Sequence, residues 1–224
     1  MSNITKWFGY PIYITKLQDY EKINQIILPI ILKEITPENS KYSLTTDVVT
    51  KESKSLDDKL HLDSRFKSLF IQLSKVIRDC LSNQKYNLDL FEIYITKSWA
   101  TLSTKKQFIR YHRHRGSHFS FVYYPQAHKQ GNLILLDDDA YKVGLCIPKT
   151  DPYFSEWNDS NYGKAEYPAD TGNVIIFPSM LFHKTEENQK DEPRVSISGD
   201  IMLTMKDGIK SENNIPSPAT WMML

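Results

Sequence analysis

Twelve residues near the C-terminus, Arg194-Val-Ser-Ile-Ser-Gly-Asp-Ile-Met-Leu-Thr-Met205, constrain the fold more than any other stretch. They alternate with period two, which marks a strand with two unlike faces. Val195, Ile197, Ile201, Leu203 and Met205 fall on one face; Arg194, Ser196, Ser198 and Asp200 fall on the other. The first face requires a core. The second lines something wet or charged. Just upstream, Gly172-Asn-Val-Ile-Ile-Phe-Pro-Ser-Met-Leu-Phe-His183 reads as a glycine turn, a buried strand over Val174–Phe177, a stop at Pro178 and a second extended piece carrying His183. The charged loop from Lys184 to Pro193 is expected at the surface.

Strands of this kind come in series. Leu88–Trp99, Phe108–His114, Phe119–Tyr124, Asn132–Leu136, Val143–Ile147, Asn173–Phe177, Leu181–Lys184 and Arg194–Met205 are the candidates, and turn residues separate them. Short strands in series suggest a sandwich or barrel. Before them lie a short strand within Trp7–Thr15 and two helical patterns. The first, over Leu17–Ile35, contains Pro29, which is expected to kink or split it. The second carries an apolar stripe of Phe66, Leu69, Phe70, Leu73, Ile77, Cys80 and Leu81, with Asp63 or Ser64 as cap. Thr36–Asp58 reads as a polar loop. The fold class is α+β, mainly β: a jelly roll over 88–205, buttressed by helical support in 1–87 and followed by a tail over 206–224, all in one domain. The polar, aromatic stretch Tyr141–Thr171 reads as an insertion of the lid or binding-loop kind.

Arg110-Tyr-His112-Arg-His114-Arg115 supplies the chemistry that the polar strand face calls for. Histidines at i and i+2 on a strand share a face, with Cα atoms about 6.5–7 Å apart, so both can reach one metal ion. His183 is the obvious third donor. Plainer readings remain open at this level. The histidines also fit an exposed basic stripe with Arg110, Arg113 and Arg115, and Arg194 fits a surface ion pair. His118 fits neither face and reads as a loop residue.

The combination resembles a known family. His112-x-His114 followed by Ser117, Ser120 and Val122-Tyr-Tyr, the Gly131-Asn-Leu turn, Gly172 to His183, Asn188 and Arg194-x-Ser196 together resemble the small Fe(II)/2-oxoglutarate-dependent oxygenases common in marine bacteria and their phages, within the prolyl-4-hydroxylase-like superfamily. Even Trp7-Phe-Gly-Tyr-Pro-Ile-Tyr resembles the family's opening, and the likeness is densest over 99–205. It implies a double-stranded β-helix with Fe(II) on His112, His114 and His183. It implies 2-oxoglutarate as co-substrate, with its far carboxylate on Arg194 and Ser196, and a dioxygenase that hydroxylates a further substrate. Two departures stand out. Much of the superfamily has a carboxylate at the position of His114, which leaves Asp137, Asp138 and Asp139 as acidic candidates beside a literal three-histidine site. Phe121 stands where the branch often has glycine, and is expected to reshape the pocket.

Other classes fit parts of the pattern. A cupin-type enzyme without 2-oxoglutarate would want glycine where Met180 stands. Three histidines also suit zinc in a jelly roll without catalysis. A structural component would bind no metal. A formal net charge of +1 excludes an electrostatic case for nucleic acid or an acidic membrane surface. Two cysteines, Cys80 and Cys146, are too few for a disulfide framework and suit a reducing cytosol. No apolar run approaches the roughly 20 residues that span a bilayer, and the N-terminus carries no secretory pattern, so a soluble, cytoplasmic protein is expected. The apolar end Trp221-Met-Met-Leu suits docking on the body or on a second copy, as in a homodimer.

Overall fold

The computed structural model describes residues 9–35, 54–56, 59–129, 131–136, 155–156, 163–210 and 214–223. Two antiparallel sheets face each other. The larger contains six strands: β1 (Tyr13–Lys16), β2 (Lys54–Leu56), β3 (Phe91–Ser103), β4 (Phe119–Gln126), β7 (Asn173–Pro178) and β9 (Arg194–Met205), in the order β1-β7-β4-β9-β3-β2. The smaller contains β5 (Leu133–Leu136), β6 (Lys164–Tyr167) and β8 (Phe182–Thr185), in the order β6-β5-β8. Helices α1 (Tyr20–Glu34) and α2 (Lys67–Asn83) cover the outer face of the larger sheet. This is the double-stranded β-helix with helical support.

The alternation along β9 sorts its residues between two cores. Val195, Ile197, Ile201 and Leu203 pack with Phe119, Phe121, Tyr123, Val174 and Ile176 against both helices. The opposite face looks toward the smaller sheet, where Val122, Tyr124, Ile175 and Phe177 meet Leu133, Leu135 and Leu181. The α2 stripe is buried as its spacing requires, with only Phe70 partly exposed. Asp63 caps the turn that leads into it by accepting from the Arg65 backbone N–H at 2.9 Å. Cys80 is a free, buried thiol on that stripe.

Three expectations need correction. Pro29 does not split the first helix, which runs unbroken from Tyr20 to Glu34. An interior proline costs about 3 kcal/mol. Burial of Ile23, Ile27 and Ile31 returns about 1.5–3 kcal/mol each and outweighs it. A buried polar pin adds to this: the Tyr123 hydroxyl donates to Asn24 Oδ1 at 2.5 Å, and Asn24 Nδ2 donates to the Pro125 carbonyl at 2.8 Å. Second, strand β2 lies within the expected loop 36–58, and β6 within the expected insertion. The rest of those segments, the expected strand Val143–Ile147 among them, falls outside the described residues. Third, Phe121 does not reshape the pocket, because it lies on the helix-side face, opposite Gly199 of β9.

That last contact is close. A Cβ at Gly199 would sit 2.6 Å from the Phe121 ring and 2.7 Å from the Lys97 carbonyl. The bulky residue at 121 is accommodated by the missing side chain at 199. Gly199→Ala is therefore expected to cost about 1–3 kcal/mol through overpacking. Phe121→Leu should recover part of that loss in the double variant, leaving the share due to the Lys97 backbone. Urea midpoints of the four proteins measure the coupling.

Candidate metal centre

His183 sits on β8, an edge of the smaller sheet, opposite Leu135 of β5. Its other edge is closed by the segment around His112. The two residues exchange both backbone hydrogen bonds, His112 N–H to His183 O at 2.9 Å and His183 N–H to His112 O at 2.8 Å. Such a pair stands directly opposite with side chains on one face. Thr185 N–H to Ile109 O at 3.1 Å and His114 N–H to Ser179 O at 2.9 Å extend the pairing. The expected strand Phe108–His114 is thus an extended edge with an isolated bridge, not a regular strand. Its arginines do not alternate with apolar residues, and β8 supplies its hydrogen-bond partners.

The ring centroids lie 4.1 Å apart for His112–His183, 5.1 Å for His114–His183 and 5.2 Å for His112–His114. Each Nδ1 is already committed. That of His112 meets the Arg110 carbonyl at 2.8 Å, that of His183 the Leu181 carbonyl at 2.9 Å, and that of His114 an Asp200 carboxylate oxygen at 2.5 Å. Carbonyls only accept, so Nδ1 of His112 and of His183 carries the proton and Nε2 keeps its lone pair. The ligand atoms available from the three residues lie within 4.8 Å of one another. Metal–imidazole bonds of about 2.0–2.1 Å place neighbouring nitrogens roughly 3 Å apart. The rings fit a divalent ion after closing by about an ångström or two.

Burial keeps two of the rings neutral. It pushes the His112 pKa down to about 4, and the His114 ring adds to the effect. It pushes His183 well below the ordinary histidine value, with His112 as the next cause. The Phe177 ring at 4.8 Å from His183 and the Trp99 ring at 5.3 Å from His114 wall the centre. Neutral imidazoles offer lone pairs to a metal without first releasing a proton.

Arg194, at the start of β9, is only 2% exposed. Its guanidinium donates to the carbonyls of Gly131 at 2.6 Å and Glu186 at 3.0 Å, and to the hydroxyls of Thr185 at 2.9 Å and Ser103 at 3.4 Å. Among the described residues these acceptors are all neutral. The charge is solvated by dipoles, the Glu186 carboxylate also favours it through space, and no carboxylate among the described residues hydrogen-bonds it, which leaves room for an incoming anion. Thr185 is two residues beyond His183 on β8, so the guanidinium and the histidines lie within reach of one small molecule. Tyr124 adds a second sign. Its hydroxyl is fully buried without a hydrogen-bond partner among the described residues, and burial raises its pKa to about 12 while Arg194 pulls the other way. An unsatisfied donor beside a buried guanidinium is a pairing that an anion could complete.

Residues 97–200 match the model of a family described as "Putative 2OG-Fe(II) oxygenase". Over those residues, a little under half of the chain, the sequence is similar to the 2OG-Fe(II) oxygenases. Solved structures of similar fold include a prolyl-4-hydroxylase from Pseudomonas putida, 13% identical with a TM-score of 0.56, covering 86% of this chain and 92% of that one. The epimerase SnoN of nogalamycin biosynthesis, solved with Fe3+, alpha ketoglutarate and nogalamycin RO, is 12% identical with a TM-score of 0.59, covering 93% and 91%. A 2OG-Fe(II) oxygenase family oxidoreductase from Burkholderia pseudomallei is 11% identical with a TM-score of 0.52, covering 78% of each chain. At these identities the likeness carries the fold alone. No curated protein matches.

The sequence-expected site residues fall together in part. His112, His114 and His183 converge. Arg194 lies near them, and Ser196 lies buried on the same face of β9, opposite Thr101. Asp137, Asp138 and Asp139 lie outside the described residues. His118 is a loop residue whose Nδ1 accepts the Leu203 backbone N–H at 3.1 Å. Asn188 is not at the surface as its loop suggested, because its amide is buried and donates to the carbonyls of Ser103 at 3.0 Å and Glu192 at 2.9 Å. Two residues were missed. Tyr124 shares a face with Ser120 and Val122, so counting by two along β4 places it on the inner side, with Val122 and Phe177. Gly131 was seen as a turn, but its role is to make room: at φ +69 its Cβ would lie 1.9 Å from an Arg194 guanidinium nitrogen.

The histidine shifts have a stability consequence in the metal-free protein. Below pH 6.5 the unfolded chain takes up protons that folded His112 and His183 refuse. Stability should therefore fall as pH drops, by up to about 1.4 kcal/mol per pH unit for each histidine. For His112 the loss levels off near pH 4. Urea midpoints between pH 7 and pH 5 measure the slope, and His183→Gln should make it shallower.

Proposed function

We propose that this protein is an oxygenase that couples oxidative decarboxylation of 2-oxoglutarate to hydroxylation of a second substrate, with Fe(II) on His112, His114 and His183. The observation that carries the reading is three imidazoles sharing one centre, two with Nε2 lone pairs left free by backbone carbonyls, beside a buried guanidinium whose acceptors among the described residues are neutral. When bound, iron and 2-oxoglutarate together supply oxidation of a C–H bond by O2, with loss of CO2 and formation of succinate.

The chain's own residues do the rest. The three imidazoles hold one side of the ion and leave the other side open. Arg194 takes the far carboxylate of 2-oxoglutarate by charge-assisted hydrogen bonds, and the Tyr124 and Ser196 hydroxyls face the same space. Phe177 and Trp99 limit water around the histidines. An open cavity of about 520 Å³ shares Gly131, Thr185 and Glu186 with the acceptors of Arg194 and includes none of the three histidines, so it lies on the Arg194 side of the site.

The test is anaerobic addition of Fe(II) and 2-oxoglutarate, followed by visible absorption of the chelated 2-oxoacid and, in air, by succinate release. The absorption band is expected in the wild-type protein and absent from His183→Ala. Arg194→Ala should still take up one equivalent of Fe(II) but require at least about 10-fold more 2-oxoglutarate, the loss of one charged, buried partner being worth 1.4 kcal/mol or more. A stoichiometric metal with no band in the wild type would sink the oxygenase reading in favour of a zinc-type site.

A further inference from the structure

We propose that Asp200 is part of the metal centre: a buried carboxylate directly behind His114 that fixes that ring and supplies the negative charge its three neutral ligands lack. The inference rests on reading the three histidines as metal ligands. Among the described residues, His114 alone of the three rings has a carboxylate partner. His112 and His183 lean on backbone carbonyls, whereas Asp200 Oδ1 stands 2.5 Å from His114 Nδ1. Among the described residues it is the sole carboxylate hydrogen-bonded to any of these rings.

The surroundings define its state. Asp200 is 6% exposed and lies on the inner face of β9. Ser117 Oγ donates to Ser179 Oγ at 2.8 Å, Ser179 Oγ meets Ser120 Oγ at 2.9 Å, and Ser120 Oγ donates to Asp200 Oδ1 at 3.0 Å. This chain of hydroxyls points one way and ends on the carboxylate. A terminal oxygen that accepts from Ser120 takes the remaining proton from His114 Nδ1, so Asp200 is the acceptor of both. The His114 ring is thereby locked with Nε2 toward His112 and His183.

The charge argument is independent of the tautomer argument. A non-haem iron site is commonly made of two histidines and one carboxylate. Three neutral imidazoles bring no negative charge to a divalent ion, and a partly buried ion needs some. Asp200, one hydrogen bond away, restores it through the ring and raises the basicity of His114 as a ligand. Asp200 is therefore a positioning residue: it acts on the metal through His114.

The experiment is a Co(II) titration of the metal-free protein at pH 7, read by cobalt absorption and by intrinsic fluorescence, since Trp99 lies 5.3 Å from the His114 ring. Asp200→Asn keeps the shape and an accepting oxygen but removes the charge. Asp200→Ala removes both. The expected result is one equivalent bound by the wild type, with affinity weakened about 10-fold in Asp200→Asn and by up to about 100-fold in Asp200→Ala. The metal-free urea midpoint of Asp200→Asn should stay near that of the wild type, which a merely structural role would not allow alongside weaker binding. Wild-type affinity in a folded Asp200→Asn and in Asp200→Ala overturns the proposal while leaving the histidine site standing. If Asp200→Ala does not fold, the Asn variant decides alone. No Co(II) binding by the wild type overturns the histidine reading and the proposal with it.

Discussion

Strand β9 has to satisfy two environments at once, and the rest of the structure follows from that requirement. Its outer side chains are apolar and need the helices. Its inner side carries Arg194, Ser196, Ser198 and Asp200, all placed against a second sheet. Burying a guanidinium and a carboxylate on one strand is costly unless each has a counterpart. They cannot serve each other, because six residues of extended chain separate their Cα atoms by about 20 Å. Each therefore depends on something else. For Asp200 the protein supplies it, as His114 and Ser120. For Arg194 the described residues supply neutral hydrogen-bond acceptors, with the Glu186 carboxylate near enough to favour its charge. The two ends of the strand are thus met differently, one by a direct carboxylate–imidazole hydrogen bond and the other by dipoles.

The smaller sheet depends on the same strand indirectly. β8 would present a raw edge if the segment 109–114 did not lie along it. The reciprocal pair His112–His183 closes that edge and, by the same geometry, sets two imidazoles on one face. Sheet closure and ligand placement are one event here. Rings placed by backbone pairing need little side-chain freedom removed on metal binding, and their Nδ1 contacts remove most of what remains.

Much of this was legible along the chain because it is periodic. The two faces of β9, the stripe of α2 and the strands β4, β5, β7 and β8 announce themselves through alternation or helical spacing. The Arg110–Arg115 segment does not, since its extended form comes from β8, some 70 residues away in sequence. The partnership of Asp200 with His114 spans 86 residues and was equally invisible, although Asp200 was placed on the correct face. Phe121 misled for a related reason. Its position relative to a glycine-bearing family suggested the pocket, but alternation through Ser120 and Val122 sends it to the helices, where Gly199 makes room. Pro29 obeyed its local rule only in isolation; three buried isoleucines overrode it.

On the proposed reading the charges of the loaded centre would largely offset one another. A divalent ion would bring +2 and a dicarboxylate co-substrate −2, beside Asp200 behind His114 and Arg194 with Glu186 nearby. Without Asp200 the same assembly would lack that negative charge between apolar walls such as Phe177 and Trp99. Without the co-substrate, Arg194 and the ion would repel across a poorly screened interior. With three imidazoles and no carboxylate among the converging ligand atoms, the negative charge stands one hydrogen bond behind them, on Asp200.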